Sequence, residues 1–255
     1  MTGGPAFGWA LCFALVVLLA LAVGAAVWGR LGISRDLVVA AVRSVVQLVA
    51  VSAVIAVVLR EVWSSVLFAT VMFAIAVWTA AGRVQARRDL AWVAGSIGAG
   101  VGPVLLVIFG SGAVELTGPA IIPIAGIVIG GAMTAHALAG RRAFATLRSD
   151  PGQVDAALAL GLDRRFAIAN LIDRHASEAL VPVIDQTRTV GLVTLPGAFV
   201  GVLLGGGSAA DAAAAQVLVL IGLLAAETAT VVVSHRLIAD GRILPVDVRA
   251  RLPAR

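Results

Sequence analysis

Apolar residues run almost unbroken over seven stretches of this chain, and polar residues gather in the gaps. The runs cover residues 9–28, 37–59, 62–81, 91–109, 119–138, 180–204 and 212–234. Each is close to the roughly 20 residues that a helix needs to cross the hydrocarbon core of a bilayer. None sustains the alternation of apolar and polar positions that a barrel strand requires. The pattern predicts an all-α integral membrane protein with seven transmembrane helices.

The charges give these helices a direction. Arg30 and Arg35 follow the first run, and Arg83, Arg87 and Arg88 follow the third. Arg141, Arg142, Arg148, Arg164, Arg165 and Arg174 follow the fifth. Arg236, Arg242, Arg249, Arg251 and Arg255 follow the seventh. The opposite side holds only Arg60, with Glu61, Glu115 and Asp211. Arginine accumulates on the cytosolic side of membrane proteins, which puts the N-terminus outside and the C-terminus in the cytosol. An even number of crossings would break this pattern.

Composition agrees with a multi-pass protein of the plasma (inner) membrane. The chain is 60% hydrophobic and 13% charged, against roughly 25% charged residues in a soluble domain. Every basic residue is arginine, and no lysine is present. A Walker A loop needs a lysine on the phosphates, so the chain cannot bind ATP by that motif. Arginines concentrated in loops and the tail, with only Arg43 and Arg188 inside the runs, report topology and give no reason to expect a nucleic-acid partner. The lone Cys12 excludes a disulfide or a cysteine metal cluster within one chain. The first 29 residues carry no charge, so they lack the basic start of a signal peptide. Residues 1–240 read as one transmembrane domain, and the polar tail 241–255, with Pro245 and Pro253, is expected to fray.

The cytosolic loop 139–178 is the one substantial soluble element. Asp150 suits an N-cap and Pro151 the first helical position. Gly161 suits a C-terminal stop, and Asp163 can cap a second helix beginning at Arg164. The first helix would be about ten residues, too short to hold alone and in need of docking. Its Val154, Ala157, Leu158 and Gly161 share one face. That helix either lies on anionic lipid or docks a cytosolic partner.

Asp155-Ala156-Ala157, with Gly161 four residues later, looks like a loose form of the Glu-Ala-Ala…Gly signature on the coupling helix of ABC-transporter permeases. More specific are Arg43-Ser-Val-Val-Gln47-Leu48, Ile121-Ile-Pro123-Ile-Ala-Gly126-Ile-Val-Ile-Gly130-Gly-Ala-Met133-Thr134-Ala135, and Val190-Gly-Leu-Val-Thr-Leu-Pro196-Gly197. In this order they resemble the FetB family of ABC-transporter permeases, over residues 43–233. The resemblance implies seven spans and an outside N-terminus. It also implies a homodimer that exports iron or another metal with energy from a separate cytosolic ATP-binding subunit. No cofactor is expected in this chain, with Mg-ATP on the partner, and Asp155, Ala156, Ala157, Leu158 and Gly161 are the docking residues implied. After Leu-Pro-Gly the family often reads Met-Met-Thr-Gly-Gln, whereas this chain reads Ala198-Phe199-Val200-Gly201-Val202. Soft thioether and amide groups that could meet a metal are absent there.

Charges inside spans are rare and face protein or a water-filled cavity. Arg43, Asp185, Arg188 and Glu227 all lie at about 10 Å from the cytosolic side, at a rise of about 1.5 Å per residue. Gln47 is one turn above Arg43, and His136 approaches the same level. These side chains are expected to form an intramembrane polar layer, as interhelical glue or as a gate for a charged substrate. His136, Asp185 and Glu227 are weak candidates for a nitrogen–oxygen metal site. Pro196 and Gly197 mark a kinked helix or a hinge with an unwound segment. Four-residue glycine spacings, Gly98/Gly102, Gly126/Gly130 and Gly197/Gly201/Gly205, are expected to mark packing faces.

Two functions fit. One is the ABC permease, and the other an ion-coupled secondary transporter that works without an ATPase and uses the charged layer as its coupling site. An intramembrane enzyme finds no support, since neither His-Glu-x-x-His nor Gly-x-Ser-x-Gly occurs.

Overall fold

The computed structural model describes residues 8–251, of which 56 and 57 are described by backbone alone. The predicted tail residues Pro253 and Arg255 lie outside the described residues. Among the described residues six helices are long and apolar enough to cross a membrane: α1 Trp9–Trp28, α2 Ser34–Val58, α3 Val62–Arg83, α4 Leu90–Gly110, α5 Gly118–Ser149 and α10 Ala209–Ala239. Between α5 and α10 lie the short helices α6 Pro151–Ala159, α7 Arg164–Ile172, α8 Val181–Thr189 and α9 Gly197–Leu204. A 3-10 segment, Asp173–Leu180, joins α7 to α8, and α11 Val246–Arg251 follows α10.

The chain divides into two compact units, Met1–Arg60 and Glu61–Arg255. In the first, α1 and α2 form a hairpin in which Ala26 is the only buried side chain among the described residues. Both helices are apolar around most of their circumference, as expected of helices whose solvent is lipid or other protein.

In the second unit α3, α4, α5 and α10 pack around a core of small and branched residues, including Ala80, Val93, Ile97, Val128, Ala132 and Ala226. Glycine lets the helices approach. A Cβ on Gly100 of α4 would be driven into the Ala226 carbonyl oxygen and the Thr230 hydroxyl of α10. A Cβ on Gly131 of α5 would meet Glu227 Oε1 and Leu223 Cδ2 of α10 at 2.6 Å. The predicted four-residue spacings mostly do other things. Gly102, Gly130, Gly197 and Gly201 meet nothing within 4 Å, whereas Gly126 meets Met72 and Gly98 meets Phe73. Spacing puts glycines on one side of a helix, but only the neighbour decides whether that side is used.

Three expectations are corrected here. The run 180–204 is not one helix. It breaks into α8 and α9, of nine and eight residues, and each covers less than half of the roughly 30 Å hydrocarbon thickness. The loop 139–178 begins late, because α5 continues unbroken to Ser149. No proline occurs between Pro123, near its start, and Pro151. The tail does not fray through residue 251. Ile243, Leu244 and Val248 are buried, and Asp89 accepts hydrogen bonds from the Leu244 amide at 3.1 Å and from Arg249 at 2.7 Å. Pro245 ends one segment and opens α11 rather than loosening the chain.

At the same end of the unit Arg87 lies over the Trp78 ring and Arg242 over the Trp92 ring, 4.9 and 4.4 Å from the centroids. Tryptophan stacked on arginine suits the boundary between hydrocarbon and head groups.

Candidate functional site

The α6–α7 element folds as its local sequence dictates. Pro151 opens α6. Gly161 closes it at φ +81°, with its amide on the Leu158 carbonyl and the Leu162 amide on the Ala157 carbonyl. That pair of bonds is the Schellman stop, which requires a left-handed residue. Asp163 caps α7 by accepting from the amides of Arg165 and Phe166. Asp150 differs from expectation: its side chain makes no cap bond to α6 and is held by Ser149 instead.

Packing divides the predicted docking residues. Val154 is buried, and Ala157 and Leu158 are half-buried against the core. The shared face of α6 is therefore spent inside the chain. Asp155 and Ala156 are exposed, and beside them stand Leu160, Leu162 and Phe166, with Leu160 at 82% exposure. Sequence reasoning missed Leu160, Leu162 and Phe166. Their signal was present as three large apolar residues flanking a glycine stop. Beneath them α7 is anchored by buried Ala167, Ile168, Leu171 and Ile172. The 3-10 segment is tied to α5 through Glu178, which pairs with Arg142 and His175. The hydrogen bonds from His175 and Arg142 hold the Glu178 carboxyl below its ordinary range.

The predicted polar layer divides too. Asp185 and Arg188 pair with each other on α8 at 3.8 Å, both exposed. Glu227 is buried on α10 against Gly131 of α5, and among the described residues it has no ion-pair partner. Arg43 and Gln47 lie exposed on α2, in the other unit. His136 is fully buried, with Nδ1 at 3.0 Å from Ser96 Oγ of α4 and 2.8 Å from Ser234 Oγ of α10. It thus ties three helices together, a role the sequence did not disclose because its serine partners are 40 and 98 residues away. Among the described residues no three His, Cys, Asp or Glu side chains stand close enough to hold a metal ion. The candidates His136, Asp185 and Glu227 therefore do not form one site. Depth along the helices was similar, but their faces differ.

The break between α8 and α9 is the unwound alternative, not the kink. Gly191 adopts φ +81°, and its amide reaches the Thr194 carbonyl at 2.9 Å. Pro196 stands at the N-cap of α9, where its missing amide costs nothing. It also biases Leu195 away from the helical region. Gln216 of α10, itself buried, accepts the Phe199 amide at 3.3 Å and so satisfies part of the new helix end. Leu192, Val193 and Leu195 of this loop are exposed.

Known proteins resemble the chain over most of its length. A sequence model of the Uncharacterised protein family (UPF0014) matches residues 9–241. The UPF0014 membrane protein STAR2 of Oryza sativa subsp. japonica is 31% identical over 224 residues, covering 87% of this chain and 79% of that protein. The Protein ALUMINUM SENSITIVE 3 of Arabidopsis thaliana is 30% identical, covering 87% and 82%. The Probable iron export permease protein FetB of Escherichia coli (strain K12) is 29% identical, covering 80% of each chain. No solved structure matches. Apolar helices in number, and kinship with membrane proteins along nearly their whole length, make this a multi-pass membrane protein of the UPF0014 family, to which FetB also belongs.

Proposed function

We propose that the chain is the membrane-spanning subunit of an ATP-binding cassette exporter for iron, another metal or a metal complex. The substrate class is carried over from a relative named as an iron export permease. The reading rests on one observation above others. The α6–α7 element is anchored from below by Val154, Ile168 and Leu171, yet presents Leu160, Leu162 and Phe166 outward. An apolar patch on an element held rigidly by the core is what a docking subunit needs. In this reading α8 and α9 together make a seventh crossing. The N-terminus is outside, the C-terminus is in the cytosol, and the protein resides in the plasma membrane. Two copies pair, and each binds one ATPase subunit carrying Mg-ATP. A separate ATPase follows from the missing lysine.

Affinity purification in mild detergent from the native host tests this. A stoichiometric soluble ATP-binding protein should co-purify with the wild-type chain. It should be lost from Leu160→Asp and Phe166→Asp, which disturb no buried contact. A self-contained oligomer without ATPase activity would defeat the reading. It would favour the ion-coupled secondary transporter, for which buried Glu227, without an ion-pair partner among the described residues, is the supporting observation.

A further inference from the structure

A cavity lies between α7, the 3-10 segment and the C-terminal end of α10. It encloses about 360 Å³, with Ala169, Ala176, Val231 and Ala239 among its walls and Arg165, Asp173, His235 and Arg236 as its polar groups. His235 is 6% exposed, and its Nδ1 lies 3.2 Å from Asp173 Oδ1. Its Nε2 is buried and has no hydrogen-bond partner. Arg165 Nε engages Asp240 Oδ1 at 2.8 Å. Among the described residues Arg236 has no ion-pair partner, and it is exposed. The cavity therefore holds two guanidinium groups, Arg165 already engaged by Asp240 and Arg236 exposed, together with a buried ring nitrogen and the Asp173 carboxylate on the other side of that ring.

The geometry points to a binding site for a phosphate group, supplied by the head of an anionic phospholipid of the cytosolic leaflet. Guanidinium groups are donors only, and phosphate offers several acceptor oxygens to them. Depth favours the lipid as the source. Counted from Asp211, near the start of α10, the rise to Val232 is about 31 Å, one hydrocarbon thickness. Val232 is exposed and apolar, and Arg236 stands one turn beyond it, at the level of the head groups. An acyl chain can lie along Val232 while its phosphate reaches Arg236 and Arg165. Basic pockets at the cytosolic ends of membrane helices take anionic head groups in this way. Placing this end of α10 in the cytosol rests on the topology proposed above.

The test uses the full chain purified in a neutral detergent. Dioctanoyl phosphatidylglycerol, dioctanoyl phosphatidylcholine and inorganic phosphate are titrated, and bound lipid is counted by native mass spectrometry. One phosphatidylglycerol per chain should bind, with phosphatidylcholine weaker by at least ten-fold. Arg236→Gln, at an exposed position, should weaken phosphatidylglycerol at least ten-fold. Ala169→Phe, which fills the cavity and leaves its charges, should do the same. Arg88→Gln, a cytosolic arginine outside the cavity, should leave binding unchanged. Equal losses in Arg88→Gln and Arg236→Gln would overturn the site in favour of diffuse attraction. Inorganic phosphate that binds as tightly as the lipid and displaces it would overturn the lipid source and leave a free-phosphate site. Binding in detergent does not depend on sidedness. A failure here therefore counts against the cavity, while a wrong topology would show separately, by labelling of a cysteine placed at residue 251 from outside the cell.

Discussion

Helix α10 and the stretch 181–204 are built from similar material, but one is a single helix of 31 residues and the other breaks in two. Both are rich in valine and leucine, and each carries a carboxylate inside an apolar run. On α10 several polar side chains look inward: Thr230 and Glu227 stand opposite Gly100 and Gly131 of the neighbouring helices, and Ser234 reaches His136. On α8 and α9 Asp185 and Arg188 are exposed, and a Cβ on Gly197 or Gly201 would meet nothing within 4 Å among the described residues. The difference teaches that a polar or glycine position in a membrane helix is defined by what faces it. Irregular backbone at membrane depth is tolerated only where protein or a water-filled cavity covers it. In the function proposed above, the open face of 190–197 lines the transport pathway or meets a second copy, whereas the interior of α10 is scaffold.

The sharpest way to break this contrast is to add bulk on each side. Gly100→Val should destabilise the fold by about 3 kcal/mol or more, because backbone of α10 cannot yield. Gly201→Ala should leave the monomer unchanged or stabilise it by up to about 1 kcal/mol, through the better helix former. Thermal unfolding in detergent compares the two, and equal losses would mean that α9 is packed as tightly as α4. Next in size is His136→Ala, which takes the partner from the buried Ser234 hydroxyl, empties space between three helices and should cost roughly 2 kcal/mol. Asp185→Asn on the exposed helix should cost almost nothing in the same assay, yet lower transport if its segment lines the pathway. Normal transport by this variant would remove α8 from the pathway. Gly191→Ala should cost roughly 1–2 kcal/mol locally, since a Cβ is strained at a left-handed angle. It should lower transport more than it lowers the unfolding temperature.

The smallest effect lies outside the membrane, in the tail. Arg148 donates to Asp247 at 2.7 and 3.0 Å and holds its carboxyl down at about 2, against an ordinary 3.8. A depressed folded value means that the pair contributes fully above the unfolded value and that the contribution fades as pH falls from about 4 toward 2. Exposure and salt keep it small. Asp247→Asn should therefore leave global unfolding unchanged and speed only proteolysis after residue 240. If it instead shifted global unfolding, α11 would belong to the core as firmly as α10 does.

Much of this was legible along the chain. The apolar runs located six long helices to within a few residues, apart from the extension of α5 to Ser149. Pro151, Gly161 and Asp163 marked the boundaries of α6 and α7. Those signals act through the nearest few residues: a proline's missing amide, a left-handed glycine, a carboxylate over free amides. The family itself was legible in motifs spread from residue 43 to 197. What needed the tertiary structure was every statement about a face. Ala157 and Leu158 turn inward while Leu160 and Phe166 remain free, because α7 covers one side of α6. The tail docks because Asp89, more than 150 residues earlier, waits for Leu244 and Arg249. Equal depth suggested that Asp185 and Glu227 share a layer, but depth counts residues along an axis and says nothing of rotation about it. Local chemistry sets where a helix starts and stops; rotation and partnership are set by distant segments of the chain, which is why His136 became a three-helix tie rather than a ligand.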